Sequence, residues 1–213
     1  MSGTAKMYDT TLVPTKQEIA SAWVGPVEIL GSYRLVDTVD GEVGIEVLIA
    51  KEREGRFIQI PFSYRSAEIS PEHTISTLEH GVLGKRWVTN ALGDPVAVRE
   101  FIRTILSGDD GASRDDGVAG YLAVRGTGSE GASGAASGSA VGEVELINVG
   151  RQRVVGAVEI AGEKKFLKLR IPQVLQSLRH TGPGHSATSL RLVAPHPEKP
   201  GKELLVAEFN WVE

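Results

Sequence analysis

Apolar positions recur mostly at every second residue, in short runs separated by turn residues. Three such runs follow one another early in the chain and predict strands. Asp40-Gly41 and Glu54-Gly55 lie between them and suit tight hairpins. An antiparallel meander is therefore expected over the runs Val27–Val36, Val43–Ala50 and Arg56–Tyr64.

Helical spacing occurs at only a few places. Each predicted helix is opened by a capping residue or a proline, and most are closed by glycine or proline. The first begins with the capping box of Thr15 and Glu18. The others begin at Ser70-Pro71, Asp94-Pro95 and Pro172, and the first three span 15–26, 70–81 and 94–108. The apolar stripe of the third is Val98, Phe101, Ile102, Ile105 and Leu106.

Strands fill most of the remaining pattern. They are predicted over Val82–Asn90, Val118–Arg125, Glu143–Val149, Val154–Ile160, Phe166–Ile171, Leu190–Val193 and Leu204–Trp211. Short turns rather than helices join most of these strands, which argues against a doubly wound parallel sheet. We expect an α+β protein with mostly antiparallel curved sheets and about three to four short helices.

Composition divides the chain into three parts. Residues 126–142 hold six Gly, four Ser and four Ala, which predicts a flexible loop or linker between an α+β part, 1–125, and a β part, 143–213, packed on it. Gly126–Gly131 matches the dinucleotide pattern G-x-G-x-x-G, but the residues after it are poor helix formers, so the linker interpretation is favoured.

Charge and cysteine content exclude several classes. The 213-residue chain has no Cys, which rules out disulfides, thiolate metal sites and a cysteine nucleophile. The net charge of −4 gives no reason to expect nucleic acid. No apolar run is long enough to span a bilayer and no signal peptide is recognisable, so we expect a cytoplasmic protein without a membrane partner.

Candidate chemistry is sparse. His180 and His185 could meet a metal only with a distant carboxylate, and no cofactor is expected. Lys164, Lys168 and Arg170 share one strand face with Phe166, either as an anion-binding patch or, as we favour, as a solvated face. The richest cluster lies in 79–87, and with a nearby arginine it gives the binding-site candidates Arg65, Glu79, His80, Lys85, Arg86 and Trp87. Alternation places Lys85 and Trp87 on one face, where Lys85 would pair with Glu79 or Glu46 if covered.

Several runs resemble those of actinobacterial proteins with a maltokinase N-terminal cap-like domain. They are Leu12–Lys16, Gly41–Glu46, Pro61–Arg65, His80–Val88 and Gly93–Pro95, and the likeness covers roughly residues 8–108. The resemblance implies an α+β accessory module near trehalose, maltose or glycogen metabolism, since the cap of those kinases precedes the catalytic domain. The chain lacks the H-x-D and D-F-G-like motifs that a kinase needs.

Three hypotheses follow. The leading one is a non-catalytic interaction module that binds a protein partner, a kinase or sugar-metabolism enzyme, or a second copy of itself. The alternative is a small-molecule binding protein whose Arg side chains and indole recognise a sugar phosphate or another anion. The third is an unrecognised enzyme, which would require a deep pocket with a strongly shifted titratable group.

Overall fold

A computed structural model describes residues 3–128, 141–178 and 190–212. Within these ranges the chain forms two α-helices, a short 3₁₀ turn at Ala91–Gly93 and fifteen strands. The helices are α1 (Lys16–Val24) and α2 (Pro95–Ser107). The strands are β1 (Thr4–Ala5), β2 (Leu12–Val13), β3 (Val27–Val36), β4 (Gly44–Glu52), β5 (Phe57–Arg65), β6 (Thr74–His80), β7 (Gly84–Asn90), β8 (Ser113–Arg114), β9 (Arg125–Gly126), β10 (Val141–Val149), β11 (Arg153–Ile160), β12 (Glu163–Arg170), β13 (Gln176–Ser177), β14 (Leu190–Pro195) and β15 (Glu203–Val212).

The first sheet has the strand order β2-β6-β7-β5-β4-β3, and every neighbouring pair is antiparallel. Its centre contains the predicted meander β3-β4-β5, which is confirmed. Helix α1 packs on one face, where Ile19 and Ala20 join an apolar cluster with Leu48, Ile60 and other sheet residues. The predicted capping box is present, because Thr15 and Glu18 each accept a hydrogen bond from the other's backbone N–H.

Helix α2 lies between this sheet and a second one. Asp94 caps it by accepting from the N–H groups of Val96 and Ala97, and Gly108 ends it in the left-handed conformation. The whole apolar stripe predicted for this helix is buried, as expected. Because α2 contacts strands on both sheets, its burial holds the two layers together.

The second sheet follows the order β10-β11-β12-β15-β14-β9, with β13 beside β15, and its pairs are antiparallel. Helix α2 contacts β10 at one end of this order and β14 and β9 at the other, so the sheet curls around the helix. One continuous core joins the second sheet, α2 and the face of β3 and β4 that carries Tyr33, Ile45 and Val47.

A buried glutamine ties the two layers together. Gln59 on β5 is 1% exposed, and its side-chain N–H group donates to the carbonyls of Pro172 and Val206 at 2.9 and 2.7 Å. Its backbone N–H also donates to the Gln173 carbonyl at 2.8 Å.

The fold is richer in strand than the sequence predicted, because two of the predicted helices are wrong. The segment after Ser70 makes only a tight turn and then continues as β6, which pairs with β7. After Pro172 the chain runs extended along β5, and Leu175 N–H donates to the Phe57 carbonyl. Two α-helices in the described part of the chain therefore replace the expected three to four.

The strands predicted on either side of α2 had different outcomes. The strand predicted over Val82–Asn90 is confirmed as β7. That predicted over Val118–Arg125 is wrong, because only Arg125 belongs to a strand and the rest is irregular chain. This segment nevertheless buries Leu122 and Val124 in the shared core.

The predicted linker 126–142 is described only at its ends. Gly126 belongs to β9, and Gly128 N–H donates to the Ile105 carbonyl of α2 at 2.9 Å. The remainder, 129–140, lies outside the described residues, as do His180, His185 and the loop 181–186. The division at 125 and 143 stays a prediction, although β9 already belongs to the second sheet.

Candidate functional site: a cavity over the first sheet

A cavity of about 730 Å³ lies against the first sheet beside the start of α1, whose Lys16 is among the lining residues. The strands β3 to β7 contribute its floor and sides, and the chain between residues 4 and 12 contributes the opposite wall. This volume falls within the range of small-molecule sites in proteins.

The wall formed by residues 4–12 is attached at both ends. Its start pairs with β8, and Met7 N–H donates to the Asp115 carboxylate at 2.8 Å. Its end becomes β2, where Leu12 lies opposite His80 on β6. Gly81 allows the close approach there, since a Cβ at this position would lie 2.5 Å from the Thr10 hydroxyl.

One end of the cavity contains a buried carboxylate. The Glu46 side chain is 3% exposed and contacts Lys16 Nζ at 2.7 Å and Arg34 Nη2 at 2.9 Å. The hydroxyls of Ser32 and Tyr64 donate to the same carboxylate at 2.8 and 3.1 Å. Both oxygens of Glu46 are therefore occupied by donors from the protein itself.

The charges around Glu46 decide its protonation. Burial alone would raise the pKa of Glu46, but the neighbouring Arg34 and Lys16 reverse this and lower the pKa to about 2. Burial, followed by the charge of Glu46, raises the pKa of the Tyr64 phenol well above its usual value. At neutral pH the cluster thus holds an ionised carboxylate beside a neutral phenol.

The cavity is also lined by His80 and Arg86, which lie on the adjacent strands β6 and β7. His80 Nδ1 accepts from the backbone N–H groups of Val82 and Leu83 at 3.2 and 3.1 Å. The ring proton of neutral His80 is therefore assigned to Nε2. Burial and then the charges of Arg86 and Lys16 lower the pKa of His80, which favours this neutral form.

The other sequence-predicted residues lie elsewhere. Lys85 is exposed, and its ammonium sits 4.5 Å from the centre of the Trp87 ring. Arg65, opposite Trp87 across β5 and β7, donates two hydrogen bonds to buried Asp94 at 2.7 and 2.8 Å. Glu79 is exposed. The structure thus brings His80 and Arg86 together at the cavity and places the other four outside its lining; a binding role for the set stays a prediction.

The residues around Glu46 were not among the sequence candidates. Glu46 had been considered as a partner of Lys85, but its partners are Lys16 and Arg34. A signal was present, because Glu46 is a single acid within the run Gly44–Ala50, whose other residues are apolar. A strand buried on both faces can hold a carboxylate only if that carboxylate is paired.

The basic strand face in the second sheet follows the predicted alternation. Phe166 is half-exposed, and Lys164 and Lys168 are exposed beside it. Lys164 pairs with Glu145 on β10 at 2.5 Å, so acids accompany the cations on this surface. No group of three or more His, Asp or Glu residues in the described ranges is arranged to hold a metal ion. None of the described helices has the length and apolarity needed to cross a bilayer.

A comparison with protein families finds a match for part of the chain. Residues 17–94 match the maltokinase N-terminal cap domain. The resemblance inferred from the sequence is confirmed for this segment, which contains α1 and the first sheet from β3 to β7. The matched segment contains the cavity-lining residues from Arg34 to Arg86. It ends at Asp94, the N-cap residue of α2. A search of curated proteins finds no match to the chain.

Proposed function

We propose that this protein is a non-catalytic accessory module that acts by binding a protein partner. The observation that carries this proposal is the match of residues 17–94 to a cap domain, a module rather than a kinase domain. The partner would be a kinase or a sugar-metabolism enzyme of trehalose, maltose or glycogen metabolism, or a second copy of the chain.

An exposed apolar edge supports an interaction role. Val82 and Leu83 in the turn between β6 and β7 are 59% and 38% exposed, and Val13 on the neighbouring strand β2 is 67% exposed. Neighbouring exposed apolar side chains are a common property of protein-interaction surfaces. This edge is our candidate contact surface.

The test combines light scattering with capture from a native lysate of the source organism. We expect either a defined oligomer or a reproducible partner, and loss of that complex in the variant Val13→Asp/Val82→Asp, which leaves the cavity lining unchanged. The matched control is Ile147→Asp, which places the same charge at a 55% exposed position on the second sheet. A monomer that captures nothing reproducibly would contradict the proposal, and a complex unaffected by the double variant would contradict this choice of surface.

Small-molecule binding is the second candidate, and the 730 Å³ cavity favours it. A ligand present at about 100 times its dissociation constant stabilises a folded protein by about 2.7 kcal/mol. A thermal-shift screen with sugars, sugar phosphates and nucleotides tests this function, and no shift with any of them would contradict it.

A further inference from the structure

We propose that the cavity binds a small organic phosphate, with the phosphate held by Arg86, Lys6 and the Nε2–H of His80. The proposal rests on the second candidate function and names its ligand class. It follows from a surplus of hydrogen-bond donors and positive charge at one side of the cavity.

The Lys6 and His80 side chains both contact the Tyr8 ring, and Arg86 lies beside His80 on the hairpin of β6 and β7. The Lys6 ammonium lies 5.0 Å from the centre of the Tyr8 ring, and that ring meets the His80 ring edge-on at 5.3 Å. Arg86 on β7 lies opposite Leu78, two residues before His80 on β6, so the side chains of Arg86 and His80 share one face of the sheet. All four residues line the cavity.

These donors have no acidic partner among the described residues. Within the described residues, Arg86 donates only to the backbone carbonyl of Lys85, at 3.4 Å. Lys6 contacts the Tyr8 ring and forms no ion pair with a described acid. His80 is anchored through Nδ1, which leaves Nε2–H as the free donor of the ring. A phosphate has several acceptor oxygens and can accept from more than one such donor.

The carboxylates of the lining are fewer than its cations, since Asp37, Glu42 and Glu46 accompany Lys6, Lys16, Arg34 and Arg86. Glu46 is saturated by Lys16, Arg34 and two hydroxyls. Asp37 accepts four backbone N–H groups of the loop that follows it. Glu42 is the remaining carboxylate of the lining, and it can accept from a ligand hydroxyl. The site therefore suits an anion joined to a hydroxylated body.

Calorimetric titration of the full chain with glucose 6-phosphate, glucose and inorganic phosphate tests the proposal. We expect glucose 6-phosphate to bind at least about tenfold more tightly than glucose, which corresponds to about 1.4 kcal/mol. Arg86→Gln should remove that preference. Arg53→Gln, at an exposed position outside the cavity lining, is the matched control and should bind as the unaltered protein does. Circular dichroism confirms that both variants fold.

Histidine resonances provide a second measurement. The bound phosphate would offset the charges of Arg86 and Lys16, which lower the pKa of His80, so this pKa should rise on saturation with glucose 6-phosphate. Equal binding of glucose and glucose 6-phosphate, with no effect of Arg86→Gln, would overturn the phosphate site and leave small-molecule binding intact. Absence of binding by all three probes, together with a negative ligand screen, would overturn both.

Discussion

The free energy of unfolding of this protein should depend on pH because of Glu46. Its pKa of about 2 lies about 2.5 units below the ordinary value of 4.5, which corresponds to about 3 kcal/mol of folding free energy at neutral pH. Because the pKa is lower in the folded state, this contribution is complete above about pH 5 and is lost as the pH falls through 4.5 toward 2.

The variant Glu46→Gln reproduces the uncharged state at every pH. At pH 7 it should lower the free energy of unfolding by about 3 kcal/mol or more, since it leaves Arg34 and Lys16 without their counter-charge. The difference between the variant and the unaltered protein should shrink steadily below about pH 5 and nearly vanish near pH 2.

Urea unfolding followed by far-ultraviolet circular dichroism, at a series of pH values, measures this difference. The matched control is Glu72→Gln, which removes a carboxylate from an exposed position and should change stability by less than about 0.5 kcal/mol at every pH. A stability difference for Glu46→Gln that stays constant from pH 7 to pH 2.5 would refute the assignment of the shift to this cluster.

Three further substitutions probe the fold. Arg65→Gln leaves the carboxylate of fully buried Asp94 without its guanidinium and should cost about 3 kcal/mol in urea unfolding; a loss below about 1 kcal/mol would contradict this. Gln59→Leu leaves two carbonyls between the layers without their donor, so the free energy of unfolding should fall by about 2 to 4 kcal/mol while thermal unfolding stays a single transition. Separate transitions would refute the shared core. Gly126→Ala would place a Cβ 2.0 Å from the Thr104 carbonyl and should destabilise strongly, whereas Gly150→Ala makes ordinary contacts and should not; equal unfolding midpoints would contradict this.

The sequence predicted the elements whose signals are local. The capping box at Thr15 and the Asp94-Pro95 helix start depend on residues that act within one turn, and both are present. The meander could be predicted too, because alternation and turn residues agree over β3 to β5.

The missed elements depend on partner strands outside the segments themselves. Ser70-Pro71-Glu72 reads as a helix start, yet β7 offers a hairpin partner, and the β-branched residues Thr74, Ile75 and Thr77 favour the strand. The segment after Pro172 has the spacing of a short helix but is fixed by backbone bonds to Phe57 and Gln59 on β5. Such tertiary contacts cannot be read from the segment's own residues.

Two of the six sequence candidates, His80 and Arg86, line the cavity, and a binding role for them stays a prediction. Alternation predicted that Arg86 faces away from Lys85 and Trp87, and in the structure Arg86 lines the cavity whereas Lys85 and Trp87 do not. The contributions of Lys6, Lys16 and Arg34 could not be predicted, because these residues come from the cavity wall formed by residues 4–12, from α1 and from β3. Knowing that these elements meet requires the strand order of the sheet.

The core shared through α2 has a consequence for what counts as a unit of folding. The family segment ends at Asp94, but Tyr33, Ile45 and Val47 within it are covered by α2 and the second sheet, which lie beyond that residue. A fragment cut at residue 94 would expose an entire apolar face to water. The segment that matches the cap domain is thus smaller than the unit that shares this core, which also includes α2 and the second sheet.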